Sequence, residues 1–238
     1  MKQIIISGPF RENEQKACCN LSPDLKCKFV KPQEVTAQML STAQALIGNV
    51  PPFMLADQPQ LEWVQLTSSG ADKYVHEKNI SKDLIITTAT GSYGVGIAEY
   101  MVAMLLSMMK KIPDYLDNQK NGVWADEGVV TTPYGKRVLI VGTGDIGLEF
   151  AKRMRAFGCK LVGIRRRNGI CPEELDEVYS TEFLKEQLAL ADVVAVCLPG
   201  TKSTFHLFDE EMLSDHTTYY RRISSGSYHR ENIPVVLT

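Results

Sequence analysis

Short apolar runs punctuate the first third of the chain, at residues 3–7, 27–30, 45–47, 63–66 and 84–87, each bounded by Gly, Pro, Asn or Asp. Runs of this length between breakers predict strands. Amphipathic stretches lie between some of them, such as residues 32–40, opened by Pro32 at a position suited to a first helical turn. Strands alternating with helices pair in parallel through crossovers, so residues 1–95 read as a small α/β unit. From Val95 to about Leu116 the residues Ala98, Met101, Val102, Leu105, Met108 and Met109 share one wide helical face, which predicts a long helix bridging into a second unit.

The second unit, residues 96–214, restarts with a strand over 136–141, a glycine-rich turn and a helix from Asp145 to Phe157. A strand over 160–164, an acidic amphipathic stretch over 172–190 and a third strand over 192–198 follow. This βαβαβ order is one half of a doubly wound parallel sheet. Gly142-Thr143-Gly144-Asp145-Ile146-Gly147 fits G-x-G-x-x-G, a weak string by itself. Its place between a predicted strand and a predicted helix gives it meaning, because a dinucleotide diphosphate needs three glycines there. They serve the tight turn, close backbone approach and helix packing, while the helix N-terminus faces the anion. About 20 residues on, where an acidic side chain would accept from a ribose hydroxyl, the chain instead has Arg165-Arg166-Arg167. Guanidinium groups suit a 2′-phosphate, so the expected cofactor is NADP(H) over NAD(H).

Composition narrows the remaining classes. The 238 residues are 44% hydrophobic and 23% charged with a formal charge of -2, which fits an ordinary globular chain and removes the electrostatic case for nucleic acid or an anionic membrane. The apolar stretch 97–109 includes Glu99 and is too short to span a bilayer. Cys18, Cys19, Cys27, Cys159, Cys171 and Cys197 form no CxxC pair and no metal-ligand spacing, so reduced thiols in a cytoplasmic protein without a metal are expected.

Several segments together resemble the D-isomer-specific 2-hydroxyacid dehydrogenases, the family of glyoxylate/hydroxypyruvate reductases and phosphoglycerate dehydrogenase. Leu61 to Asp72, reading LEWVQLTSSGAD, resembles the substrate-domain strand and carboxylate-binding loop. Residues 90–99 resemble the start of the crossover helix. Residues 135–147 and 192–212 resemble the dinucleotide-binding strand, turn and later segments. The resemblance implies a flavodoxin-like substrate domain beside an incomplete Rossmann domain, and hydride transfer between NAD(P)H and a small 2-oxo or 2-hydroxy acid. It also implies that Ser69, Gly70 and Ala71 bind the substrate carboxylate and that Ile97 lines the nicotinamide pocket. Asp145 and Ile146, within the Gly142–Gly144–Gly147 turn, would meet the diphosphate. Leu198, Pro199 and Thr204 would border the adenosine and ribose, and the region of Trp124 would meet a second copy in a homodimer.

The same resemblance implies a catalytic arginine, glutamate and histidine, and none of the three can be placed. After Ser214 the family-like sequence gives way to a tail, residues 215–238, that holds three of the nine tyrosines and two of the four histidines. His229, Arg230 and Glu231 are consecutive, so their side chains diverge rather than converge. The expectation is a truncated or frameshifted chain with impaired hydride transfer, the alternative being an inactive NAD(P)-binding, dimerising relic.

Overall fold

A computed structural model of the chain describes residues 1–75, 77–167, 169–201, 204 and 207–208, with the backbone of residues 222–223 and 236–237. It contains two compact units, Met1–Ser92 and Tyr93–Thr238. The division falls at the residue that caps a helix, whereas a boundary at 95/96 would cut that helix in its first turn.

The first unit is a five-stranded parallel sheet built from β1 (Lys2–Ser7), β2 (Leu25–Val30), β3 (Ala45–Ile47), β4 (Trp63–Gln65) and β5 (Ile85–Thr87), in the order β2-β1-β3-β4-β5. Ile5, Leu40, Leu46, Val64 and Leu66 are fully buried in its core. The helix α1 (Glu12–Cys19) has no buried residue, so hydrophobic periodicity gives it no signal. Its local mark is a capping box, in which the Arg11 N–H donates to the Glu14 carboxylate at 2.7 Å. The single helix expected over residues 32–40 is broken in two. Pro32–Glu34 forms a 3-10 turn, Val35 turns extended and is buried, and the Thr36 hydroxyl then accepts from the Met39 N–H to start α2 (Ala37–Leu40). Core burial of Val35 outweighs continuing the helix through it. A third short helix, α3 (Asp72–Val75), follows β4.

The second unit opens with α4 (Gly94–Met109) and α5 (Ile112–Lys120), where one helix to about Leu116 was expected. Pro113 explains the break. It has no N–H for the carbonyl four residues back, that of Met109, and this carbonyl accepts instead from the Thr131 N–H at 3.0 Å. Lys111 takes up the turn in the left-handed region, φ 54°.

A parallel sheet follows, made of β6 (Arg137–Val141), β7 (Lys160–Arg165), β8 (Glu177–Ser180) and β9 (Val193–Val196), with α6 (Asp145–Arg155) and α7 (Leu184–Ala189) as crossovers. Adding β10 (Arg222–Ile223) and β11 (Val236–Leu237), the order is β10-β11-β9-β6-β7-β8. One sequence expectation is corrected here. The acidic stretch 172–190 contains the edge strand β8 before its helix, so β9 is the fourth strand rather than the third. Its strand character is masked because β8 is only half-buried and ends in polar residues. The edge of β9 is paired in parallel by the backbone of β11.

Both faces of this sheet are covered, which is why β6 reads as an unbroken apolar run. Val138 and Ile140 face α4 and α6, packing with Ala98, Leu105, Phe150 and Met154. Leu139 and Val141 face α7, packing with Leu184 and Leu188. At the amino ends of the strands an ionic cluster joins three of them. The Glu177 carboxylate lies 3.1 Å from Arg137 Nη2 and 2.6 Å from Lys160 Nζ, and the Tyr179 hydroxyl donates to it at 3.1 Å.

Lys160, then Arg137 and Tyr179, hold the Glu177 carboxyl down to about 2 against the partial desolvation that opposes them. A carboxylate favoured by folding contributes stability that is complete above its ordinary value of 4.5 and is lost as pH falls from there toward about 2. Glu177→Gln therefore flattens the acid limb of stability over that window in urea unfolding. Parallel acid limbs for the two proteins would show that the cluster carries no such coupling.

Candidate dinucleotide-binding site

The carboxyl end of β6 lies where the chain reverses direction across the sheet: from β6 it proceeds to β7 and β8 on one side, then crosses to β9 on the other. In open α/β sheets, that reversal leaves a crevice outside the strand ends. The glycine turn sits there. The Gly142 N–H donates to the Ile164 carbonyl of β7 at 2.9 Å, and the Cys197 N–H after β9 donates to the Val141 carbonyl at 2.7 Å. The turn is thus pinned from both neighbouring strands.

The three glycines do different work. Gly142 has φ +102°, and a Cβ there would press on the Cys197 backbone. Gly147 is buried, and a Cβ there would collide with the Gly142 carbonyl oxygen while lying 3.1 Å from Ile140 Cγ2. Gly144 precedes α6 as its capping residue, in extended conformation and with no side chain capping the helix. A Cβ on Gly144 would meet nothing within 4 Å. The first N–H groups of α6, from Asp145 and Ile146, head the helix without intrahelical acceptors. A diphosphate fits this cradle, since the space over Gly144 is open and the donors and helix dipole favour an anion.

Asp145 departs from that pattern by placing a carboxylate on the first residue of α6. Its oxygens rest on Gly94 at the start of α4, where an added Cβ would come within 2.5 Å of Oδ1 and 2.6 Å of Oδ2. The side chain therefore lies between two helix N-termini, and any Cβ at position 94 would make the Asp145 carboxylate shift. Ile97, one turn further along α4, is 36% exposed. Leu198 reaches over the turn, its Cδ2 3.2 Å from where a Gly142 Cβ would be. Beyond it, the Thr204 hydroxyl donates to the Pro199 carbonyl at 2.6 Å and accepts from the Thr201 N–H at 2.8 Å, closing a compact loop.

The three arginines are not equivalent. Arg165 ends β7 half-buried, its Nη2 donating to the Ile170 carbonyl at 2.8 Å, and its buried Nε has no partner. Part of that guanidinium holds the following loop. Arg166 and Arg167 are exposed and make no ion pair among the described residues.

The loop after β4 in the first unit has a separate logic. The Ser68 carbonyl accepts from the Ala89 N–H, the Ser69 carbonyl from the Thr90 hydroxyl, and the Gly70 carbonyl from the Ser68 hydroxyl. The Ala71 carbonyl accepts from the Tyr74 and Val75 N–H groups at the start of α3. With these acceptors engaged, the carbonyls of the loop are committed to the protein, while Ser69 and Gly70 themselves are exposed.

Burial pushes the Cys197 thiol up to about 12, so this sulfur beside the turn stays protonated and unreactive. Burial, with the Asp192 carboxylate, likewise takes Cys159 to about 11. His76, His206, His216 and His229 all fall outside the described residues, as do Arg230 and Glu231. Among the described residues no group of three or more His, Cys, Asp or Glu is placed to hold a metal, and no helix is long and apolar enough to cross a membrane. Sequence reasoning missed Gly94 and the carbonyls of Ile164 and Cys197 as parts of the turn. No local signal marks them, because each meets the turn only through sheet pairing or helix packing.

Residues 102–218 match the model of the NAD binding domain of D-isomer specific 2-hydroxyacid dehydrogenases. A glyoxylate/hydroxypyruvate reductase of Arabidopsis thaliana is 29% identical over 183 residues, covering 73% of this chain and 54% of that protein. A 2-hydroxyacid dehydrogenase of Aspergillus oryzae is 36% identical over 118 residues, covering 49% of this chain and 33% of that protein. The chain thus spans about half or less of these curated relatives' length. A crystal structure of a D-isomer specific 2-hydroxyacid dehydrogenase family protein from Aeromonas salmonicida superposes with a TM-score of 0.76 at 29% identity, over 87% of this chain and 67% of that one. With the glycine turn at the reversal point of a parallel sheet and these likenesses across both units, the chain belongs to the D-isomer specific 2-hydroxyacid dehydrogenase family.

Proposed function

We propose that this chain binds NADP(H) in preference to NAD(H) and belongs to an oxidoreductase acting on a small 2-oxo or 2-hydroxy acid of the glyoxylate or hydroxypyruvate kind. The observation that carries the reading is the open cradle over Gly144, held by strands on both sides and headed by helix donors. When bound, the dinucleotide supplies or accepts a hydride. Gly142, Gly144 and Gly147 shape its diphosphate site, Asp145 and Ile146 give N–H groups, and Ile97 and Leu198 give apolar walls. Pro199 and Thr204 shape the loop beside it. Arg166 and Arg167, with what remains of Arg165, supply the charge for a 2′-phosphate. Ser69, Gly70 and Ala71 form the loop proposed for the substrate carboxylate.

Glycine at position 144 separates binding from folding. Gly144→Val adds a side chain whose Cβ meets nothing within 4 Å, so the variant stays folded by far-UV circular dichroism while dinucleotide binding, followed by NADPH fluorescence, is lost. Binding that survives in the variant would place the cofactor elsewhere.

Replacing both Arg166 and Arg167 with serine removes charge-assisted hydrogen bonds worth about 1.5–3 kcal/mol each, so NADPH affinity falls by about a hundredfold or more. NADH affinity stays the same. Equal losses for the two cofactors would overturn the preference. In the same samples, glyoxylate or hydroxypyruvate consumes NADPH slowly, since the family's catalytic arginine, glutamate and histidine have no assigned residues in this chain. Rapid turnover would show that the acid/base group lies among residues outside those described.

The proposed partner is a second copy. Val123, Trp124, Val129, Val130 and Tyr134 are exposed in one segment, Trp124 fully so, and solvent contact with such a stretch is unfavourable. Trp124→Asp shifts the chain from dimer to monomer in sedimentation velocity. An unchanged coefficient would remove this segment from the interface.

A further inference from the structure

Three of the six cysteines gather at one edge of the first unit's sheet, the edge opposite β5. Cys18 and Cys19 are the last two residues of α1, and Cys27 stands in the edge strand β2, against which α1 packs. The Cys27 thiol donates to the Cys18 carbonyl at 3.8 Å, which sets its sulfur beside the peptide that joins Cys18 to Cys19. Cys19 is exposed and lines an open cavity of about 270 Å³ with Lys16, Asn20 and Phe29, whereas Cys27 is half-buried. The cluster is not a metal site, because no third ligand converges on it among the described residues. A disulfide between Cys18 and Cys19 would force a strained ring through the peptide bond they share. That leaves a pairing across the α1–β2 contact, and of the two cysteines on α1 it is Cys19 that is exposed.

We propose that Cys19 and Cys27 are a redox-modification site that closes to a disulfide when the chain meets a hydroperoxide. Burial first, then the Cys19 and Cys18 sulfurs, pushes the Cys27 thiol up, so Cys27 keeps its proton while the exposed Cys19 meets the oxidant. The Cys19 thiolate attacks one peroxide oxygen. The S–O bond forms as the O–O bond breaks, and the departing oxygen takes a proton and leaves as water or an alcohol. The Cys27 sulfur then attacks the Cys19 sulfur of the resulting sulfenic acid. The S–S bond forms as the S–O bond breaks, and the hydroxide leaves as water with the Cys27 proton. Two thiols lose two electrons and one hydroperoxide gains them. A dithiol reverses the step by exchange. Because the Cys27 sulfur already lies beside the Cys18–Cys19 peptide, closure to an S–S bond of about 2 Å ties the end of α1 to β2, the strand it packs against.

The sequence makes the test direct. Trypsin cuts after Lys16, Lys26 and Lys28, placing Cys18 and Cys19 in the peptide 17–26 and Cys27 in the peptide 27–28. The whole chain is treated with equimolar hydrogen peroxide, free thiols are alkylated, and the digest is read by mass spectrometry. The expected result is a 17–26/27–28 pair that rises about tenfold or more over the untreated chain and separates on adding dithiothreitol. Cys19→Ser abolishes the pair and Cys18→Ser keeps it, with far-UV circular dichroism confirming that both variants are folded. The proposal is overturned if Cys27 is recovered alkylated after oxidation, if it is joined to Cys159, Cys171 or Cys197, or if the pair persists in Cys19→Ser.

Discussion

The double-sided burial of β6 governs the second unit. Four consecutive residues, Val138, Leu139, Ile140 and Val141, are almost wholly withdrawn from water, and alternation along a strand sends them in turn to opposite faces. A strand with two apolar faces requires helices on both, and α4 with α6 on one side and α7 on the other meet that need. At about 25 cal/mol per Å² of apolar surface, burial of this central strand and its partners is a dominant favourable term. It also settles chemistry at one remove. Once β6 is held between β7 and β9, its carboxyl end must emerge at the reversal point, and the backbone there must turn within the space those two strands leave.

That confinement explains why the glycines at 142 and 147 are required by the fold while the glycine at 144 is not. The first two face protein atoms that a methyl group would displace, and the third faces open space. Asp145 adds a further contact, since its carboxylate leans on Gly94 and connects the start of α6 to the start of α4. At the opposite end of the sheet the cluster of Glu177, Arg137 and Lys160 joins the amino ends of β8, β6 and β7. Charge is kept to the two ends of the strands, and the middle is left to apolar packing.

Much of this was legible as pattern. The runs that become β1, β3, β6 and β7 are strongly apolar and short, and the glycine turn keeps its meaning because the strand before it and the helix after it are both unmistakable. The elements that escaped are those whose signal is not hydrophobic. Helix α1 buries nothing and is marked only by its capping box. Strand β8 is a half-buried edge. The breaks at Val35 and Lys111 were hidden for another reason: a helical period continues through both, but the demand for burial at Val35 and the missing N–H of Pro113 override it locally.

By itself the sequence determined the alternation of strands and helices, the two-unit order, the position of the dinucleotide turn and the family to which these belong, because each is written in residue type and spacing along a local stretch. Only the tertiary structure decided which glycine of the turn leaves open space, that Arg165 is partly committed to its own loop while Arg166 and Arg167 are exposed, that Asp145 rests on Gly94, and that the Cys27 thiol reaches the Cys18 carbonyl at the end of α1. These depend on strand order and helix packing, which bring together residues far apart in the chain, and no local spacing encodes such distances.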